Sequence, residues 1–346
     1  MADRRVIHLG PSDSRGGMAS VISNLVANPP SGWNAMAIST HSDGKIYSKT
    51  KAFFLAGREL RRFIRDSSID VAHFHVTHSI SWWRKRMLMW MCEKAGVPSV
   101  VHIHSGRFDD FCKGIAGKSV FRALRIRPRK TVVLEERWRR ILSQWIPSDT
   151  EVVYNASGKV VERGSHDIES RVRLLMMSRD SRGKGHEFAV RVLESLHEKG
   201  FDAILNMTGV TSVLSSSLPD KCVRALGWVS DEKKKSLMLE SDILLMPSEF
   251  EGSSMAVIES IVCGLPCLAS PANAETIGVP SLVLSLENPS IWAERVMEIV
   301  QPEVYANVVN DLKKQSERFS IVRAQERLGI LYEELLREGN LANINN

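Results

Sequence analysis

One stretch, Asp242 to Ser270, narrows what this chain can fold into more than any other; it reads DILLMPSEFEGSSMAVIESIVCGLPCLAS. The apolar run Ile243 to Met246 has the character of a buried strand, and Pro247 stops it. The polar loop SEFEGSS ends in Ser253 and Ser254, both good helix N-caps. A helix then runs to about Cys263, with Gly264 as its C-cap and Pro266 blocking continuation. Leu265 to Ala269 reads as the next buried strand. The result is a strand–loop–helix–strand unit whose glycine-containing loop opens onto a helix N-terminus. In open parallel sheets that edge binds anions, because unpaired N–H groups and the helix dipole both point there.

Two carboxylates sharpen the reading. Glu251 lies in the loop and Glu259 about one turn inside the helix. An acid beside an anion site is unfavourable unless it binds hydroxyls or stabilises a developing positive charge. Sugar hydroxyls and an oxocarbenium-like centre fit both roles. The plain alternative is a βαβ unit with incidental acids. The stretch resembles the nucleotide-sugar site of family-four retaining glycosyltransferases of the GT-B fold. Their motif is a Glu, often followed by Gly and a small residue, with a second Glu eight positions later. The Pro-Ser before it (Pro247, Ser248) and the Gly-Leu-Pro after it (Gly264 to Pro266) match as well. The resemblance implies an α/β protein of two Rossmann-like domains facing each other across a cleft. A C-terminal helix would cross back to the first domain. It also implies that Glu251 takes sugar hydroxyls, that Glu259 takes ribose hydroxyls, and that backbone N–H groups at Gly252, Ser253, Ser254 and Met255 assist with the diphosphate.

At 346 residues the chain has room for about two domains. Apolar residues at 43% and charged residues at 25% describe an ordinary globular protein rather than a disordered or membrane-spanning one. The five cysteines show no C-x-x-C spacing and read as buried free thiols of a reducing compartment. The start MADRRVIHLG has no apolar signal region, and no apolar span approaches membrane-crossing length. A cytoplasmic location is expected, with peripheral association on the inner face of the cytoplasmic membrane as an option. The option rests on charge. Residues 1–165 carry 27 Lys and Arg against 14 Asp and Glu, whereas the remainder carries 19 against 26. Such a basic half suits a phosphate-bearing partner or an anionic membrane surface. Nucleic acid is not expected, since no zinc finger, helix-turn-helix or aromatic RNA-binding signature accompanies the charge.

Along the chain, a first strand at Val6 to Leu9 leads to Gly16-Gly17 and an amphipathic helix. The dinucleotide fingerprint G-x-G-x-x-G is absent. By resemblance Gly16 and Gly17 face the reaction centre. His73, His75 and His78, with His102 and His104 in VVHIHSG, invite a metal reading. Against it, His73 and His75 share one strand face and need not converge with the second pair. The resemblance instead puts a His beside the transferred sugar, with His104 the best match and His102 the other candidate. Between them, ISWWRKRMLMWMCEK combines cations, tryptophans and methionines. It reads either as a helix lying in a membrane interface or as a core helix with its basic residues turned to solvent. Residues 156–169 are the expected linker, giving domains at 1–160 and 161–320 and a crossing tail at 321–346.

The second domain opens with a strand, Val172 to Met177, and a loop bearing Arg179 and Lys184, then a helix from about Gly185. Two cations at a loop–helix junction neutralise a diphosphate. The fragment RGKG is not a P-loop, because Ser178 stands where a Gly is required and Gly185 where a Ser or Thr is. By resemblance Trp228 and Val229, in VRALGWV, read the nucleobase. The activity implied is retaining, metal-independent transfer of a sugar from a nucleoside-diphosphate sugar to a hydroxyl acceptor, a lipid-linked or surface-polysaccharide glycan. Glu251 and His104 are the catalytic candidates. No cofactor is expected: the chain lacks the Asp-x-Asp of metal-dependent transferases. Two other classes stay open, namely a metal-dependent hydrolase using His73, His75, His102 and His104, and a non-catalytic nucleotide-sugar-binding protein.

Overall fold

Short apolar runs alternate with helices along the chain, and each run becomes a parallel strand covered on both faces. The computed structural model describes residues 4–344, apart from 45, 159–162, 165–167, 169, 213–216 and 220. Two compact units result: Met1–Ala156 together with Ser320–Asn346, and Ser157–Phe319. Part of the linker expected at 156–169 lies outside the described residues.

The first unit contains β1 (Arg4–Gly10), α1 (Gly17–Ala27), β2 (Trp33–Ser39), α2 (Ile46–Arg65), β3 (Val71–Val76), α3 (Ile80–Lys94) and β4 (Ser99–Ile103). It continues through α4 (Phe108–Phe111), α5 (Gly117–Leu124), β5 (Arg129–Val133), α6 (Glu136–Ile141) and β6 (Glu151–Val152). The sheet order is β2-β1-β3-β4-β5-β6, all parallel, and the chain changes direction across the sheet between β1 and β3. Phe74, Trp82, Phe108 and Leu60 fill the core. Register places His8 opposite His73 and His75 opposite His102.

The second unit runs β7 (Val172–Met177), α7 (His186–Glu198), β8 (Ala203–Thr208), β9 (Val223–Ala225), α8 (Asp231–Glu240) and β10 (Ile243–Met246). It then adds α9 (Met255–Cys263), β11 (Cys267–Ala269), α10 (Ala274–Ile277), α11 (Pro289–Ile299) and α12 (Pro302–Ser316). Its parallel order, β9-β8-β7-β10-β11, is that of a Rossmann fold, with the switch point between β7 and β10. The last helix, α13 (Ile321–Ile344), belongs to the first unit, where the buried Tyr332 hydroxyl meets His73 Nδ1 at 2.7 Å.

One strand is shorter than the sequence suggests. The strand expected from Leu265 starts at Cys267, because the Leu265 amide is spent on the Ser260 carbonyl at 2.9 Å. That bond and the one from Gly264 to Ile261 close a Schellman turn around Gly264, whose φ is 81°. Within VRALGWV, Val223 to Ala225 forms β9, and Gly227 turns the chain after it at φ 63°. Among the described residues no helix is long and apolar enough to cross a membrane.

Gly185 adopts φ 80°, and an added Cβ would overlap the Pro247 carbonyl oxygen. Gly185→Ala should therefore combine left-handed strain with a backbone clash and cost at least about 2 kcal/mol. Thermal unfolding should register a loss of roughly 4–10 °C for the transition of the second unit. An unchanged midpoint would mean that the two loops separate freely.

Candidate active site

The close approach at Gly185 locks together the loops that leave β7 and β10. The Glu249 amide donates to the Gly183 carbonyl at 2.8 Å, and Lys184, held between, places Nζ 2.7 Å from Glu251 Oε1. Both partners are largely shielded, with side chains 26% and 12% exposed. The Glu251 loop runs through the half-buried Gly252 and the buried Ser253 into Ser254, the N-cap of α9, with Met255 as its first residue. Ser254 makes no side-chain hydrogen bond to the helix amides. A lysine, a carboxylate and a helix N-terminus thus meet at the carboxyl ends of β7 and β10, where open sheets bind ligands.

Glu259, inside α9, pairs with Lys234 of α8 through a 2.8 Å contact. Burial, the largest single influence, would lower the Lys234 ammonium, but the charge and hydrogen bond of Glu259 together with Asp231 outweigh it and hold the group above its ordinary value. Sequence reasoning passed over Lys234, which lies in a run of exposed lysines on a charged helix. Arg179 is exposed on the loop after β7. Asp180 bonds that loop to Gly209 at 3.2 Å, and Gly209 in turn donates to the Gly227 carbonyl at 2.6 Å. The same edge therefore carries Trp228, 47% exposed, and the half-buried Val229. His186, at the start of α7, holds Ser178 Oγ at 2.8 Å and is lowered below its ordinary pKa, chiefly by burial.

In the first unit, Gly16 caps α1 at φ 136°, a conformation that favours glycine, and Gly17 is the first helical residue. His104 follows β4, its amide bonded to the Val76 carbonyl and its Nε2 2.9 Å from His75 Nδ1. The expectation that the histidine pairs need not converge is corrected by the parallel register of β3 and β4. His73 Nε2 meets His102 Nδ1 at 3.2 Å, and His75 Nε2 meets His8 Nδ1 at 3.0 Å. His8, unnoticed in the sequence, completes a cluster of five on three neighbouring strands, whereas His78 bonds to Ser105 instead. Burial drives His8 and His104 down to about 3, and His73, His75 and His102 well below the ordinary value, so all five are neutral. Among the described residues, His8-His73-His75 and His75-His102-His104 bring ligand atoms within 4.8 Å of one another, a spacing compatible with an ion. Three pairs of nitrogens (His8 Nδ1 with His75 Nε2, His75 Nδ1 with His104 Nε2, His73 Nε2 with His102 Nδ1) already bond to one another, and His8, His73, His75 and His102 are at most 2% exposed, closed to any sizeable substrate.

Residues 171–301 match the family described as glycosyl transferases group 1. The match lies within the second unit. The matched segment holds Arg179, Lys184, Lys234, Glu251 and Glu259. Among similar proteins, EpsF of Bacillus subtilis, which bears a glycosyltransferase name, is 31% identical over 124 residues, 33% of this chain and 32% of EpsF. AmsK of Erwinia amylovora, an amylovoran biosynthesis glycosyltransferase, is 28% identical over 125 residues, 32% of this chain and 30% of AmsK. The chain spans about a third of the length of the curated relatives it matches. Anabaena HepE, solved with UDP-glucose, superposes with a TM-score of 0.68 at 15% identity, covering 96% of this chain and all of HepE. That likeness shows the fold, two Rossmann-like units of the GT-B type.

The neutral cluster has a pH signature. The unfolded chain protonates its histidines below about pH 6.5, while the folded one resists down to about 3 for His8 and His104. The folded state therefore loses stability as pH falls from 6.5, by about 1.4 kcal/mol per pH unit for each histidine kept neutral. Lys85, lowered to about 7 first by burial and then by Arg84, acts in a separate window above pH 7. Urea unfolding of the first unit should be steep in pH between 6.5 and 5 and nearly flat from 6.5 to 7; a flat profile down to 5 would rule out the neutral cluster.

Proposed function

We propose that this chain is a retaining, metal-independent glycosyltransferase that moves a sugar from a nucleoside-diphosphate sugar to a hydroxyl acceptor. The observation that carries the reading is the Lys184–Glu251 pair at the switch point of the second unit, beside the N-terminus of α9. In such a donor the diphosphate is bonded directly to the sugar, so a cation for one and a carboxylate for the other must be neighbours. Their 2.7 Å separation suits that requirement.

In this reading Lys184 and Arg179 take the diphosphate together with the amides of Gly252 to Met255, and stabilise the charge that develops as it leaves. Glu251 takes the sugar hydroxyls. Glu259, oriented by Lys234, takes the ribose, and the edge at Trp228 and Val229 takes the base. Gly16, Gly17 and His104 carry the acceptor side. The resemblance to retaining glycosyltransferases supports retention by front-face attack, with the leaving phosphate accepting the acceptor's proton. The name of AmsK, an amylovoran biosynthesis glycosyltransferase, supports polysaccharide assembly, and the acceptor in this reading is a surface-polysaccharide or lipid-linked glycan. The inaccessibility of four of the five clustered histidines speaks against a hydrolase, and Glu251, which simple nucleotide binding does not need, against a binding protein without turnover.

Thermal shifts with UDP, GDP, ADP and their sugars, with and without EDTA, test the assignment. At a hundredfold excess over its dissociation constant the right nucleotide should add about 2.7 kcal/mol. Lys184→Ala should abolish the shift, and EDTA should leave it intact. Lys234→Ala should weaken nucleoside-diphosphate binding roughly tenfold by freeing the Glu259 carboxylate to turn away. A stability loss in EDTA with no response to any nucleotide would refute the reading and return the histidines to the centre.

A further inference from the structure

Helix α3 is apolar on its outer face as well as on the inner one, where Trp82, Leu88, Met89 and Cys92 are buried. Its one deeply buried cation, Lys85, is 4% exposed and bonds to Ser81 Oγ at 2.9 Å, which departs from the core-helix alternative with its basic residues turned to solvent. On the outer face, Ile80, Trp83, Met87 and Trp90 recur at helical spacing and are 71%, 44%, 61% and 54% exposed. On the neighbouring α2, Phe54 is 67% exposed. Between the two helices lies a cavity of about 660 Å³, lined by Phe53, Phe54, Met87 and Trp90 and by the guanidinium-bearing Arg58, Arg61 and Arg86. Arg86 is paired with Glu93 at 2.9 Å.

Contiguous apolar exposure of this kind marks an interaction surface, and its chemistry selects the partner. A second copy of the chain on a twofold axis would bring the Arg58–Arg61 row against its own image, a like-charge contact that disfavours self-association. An anionic bilayer satisfies both features, with tryptophans at the headgroup level, methionine and isoleucine below it, and arginines against lipid phosphates. We infer that the α2–α3 face is a membrane-docking surface that seats the first unit on anionic phospholipid. The surface stands on its own exposure and charge and does not depend on the transferase reading.

Flotation of the full chain with vesicles of phosphatidylcholine, pure or containing roughly one-third phosphatidylglycerol, tests the inference. Binding should appear with the anionic vesicles, weaken as salt is raised, and fall by about tenfold or more in Trp83→Ser/Trp90→Ser. Arg58→Glu/Arg61→Glu should reduce it comparably, and provides a second surface variant should the tryptophan pair fail to fold. Absence from anionic vesicles, equal binding to neutral ones, or binding indifferent to both variants would overturn the inference. So would a dimer in light scattering that Trp83→Ser/Trp90→Ser dissolves, since the face would then belong to a second copy. Nucleotide thermal shifts are read separately, so neither result decides the other.

Discussion

The passage of Gly185 against the Pro247 carbonyl is the constraint on which the second unit's chemistry depends. Only a residue without Cβ can hold φ 80° there, and that closeness places the loop after β7 on the loop after β10. Once the loops are locked, Lys184 and Glu251 have one another within reach, while the packing of α8 beside α9 gives Glu259 its Lys234. Removing either charge from water would be unfavourable alone, whereas paired they can wait partly buried beside a helix N-terminus. The pairs also give each carboxylate a fixed direction. In the proposed reading, an incoming diphosphate would find cations already ordered, and the hydroxyls next to it would find acceptors.

Much of this was legible in the residues. The strands Ile243–Met246 and Val172–Met177 are where their apolar runs stand, bounded by Pro247 and by polar neighbours. Gly264 and Pro266 marked the end of α9 because they cannot continue a helix. What escaped reading depends on the third dimension. Whether His73 meets His102 is decided by parallel register between strands about thirty residues apart. His8 joins them from the other side of β3, and no local pattern carries that information. Lys234 looked like any solvated lysine until the packing of α8 beside α9 brought it to Glu259.

The two units solve opposite electrostatic problems. The second concentrates opposite charges in pairs at one sheet edge. The first carries the excess of basic residues yet fills the middle of its sheet with uncharged imidazoles and keeps Lys85 inside α3. Its tryptophans and methionines, by contrast, lie partly on the outside. Hydrophobic residues turned outward and polar ones turned inward are each unfavourable in isolation, and the fold tolerates the latter because each imidazole finds a neighbour.

That mutual satisfaction links the imidazoles in a way that single rings are not linked. A neutral imidazole carries one N–H and one lone pair. If His8 Nδ1 donates to His75 Nε2, His75 must bear its proton on Nδ1 and donate it to His104 Nε2, which leaves the proton of His104 on Nδ1. Reverse the first bond and every proton moves to the other nitrogen. The tautomer of His104 is therefore written three strands' width of side chains away, at His8, and a ring-flip or proton hop at either end is a concerted event of all three.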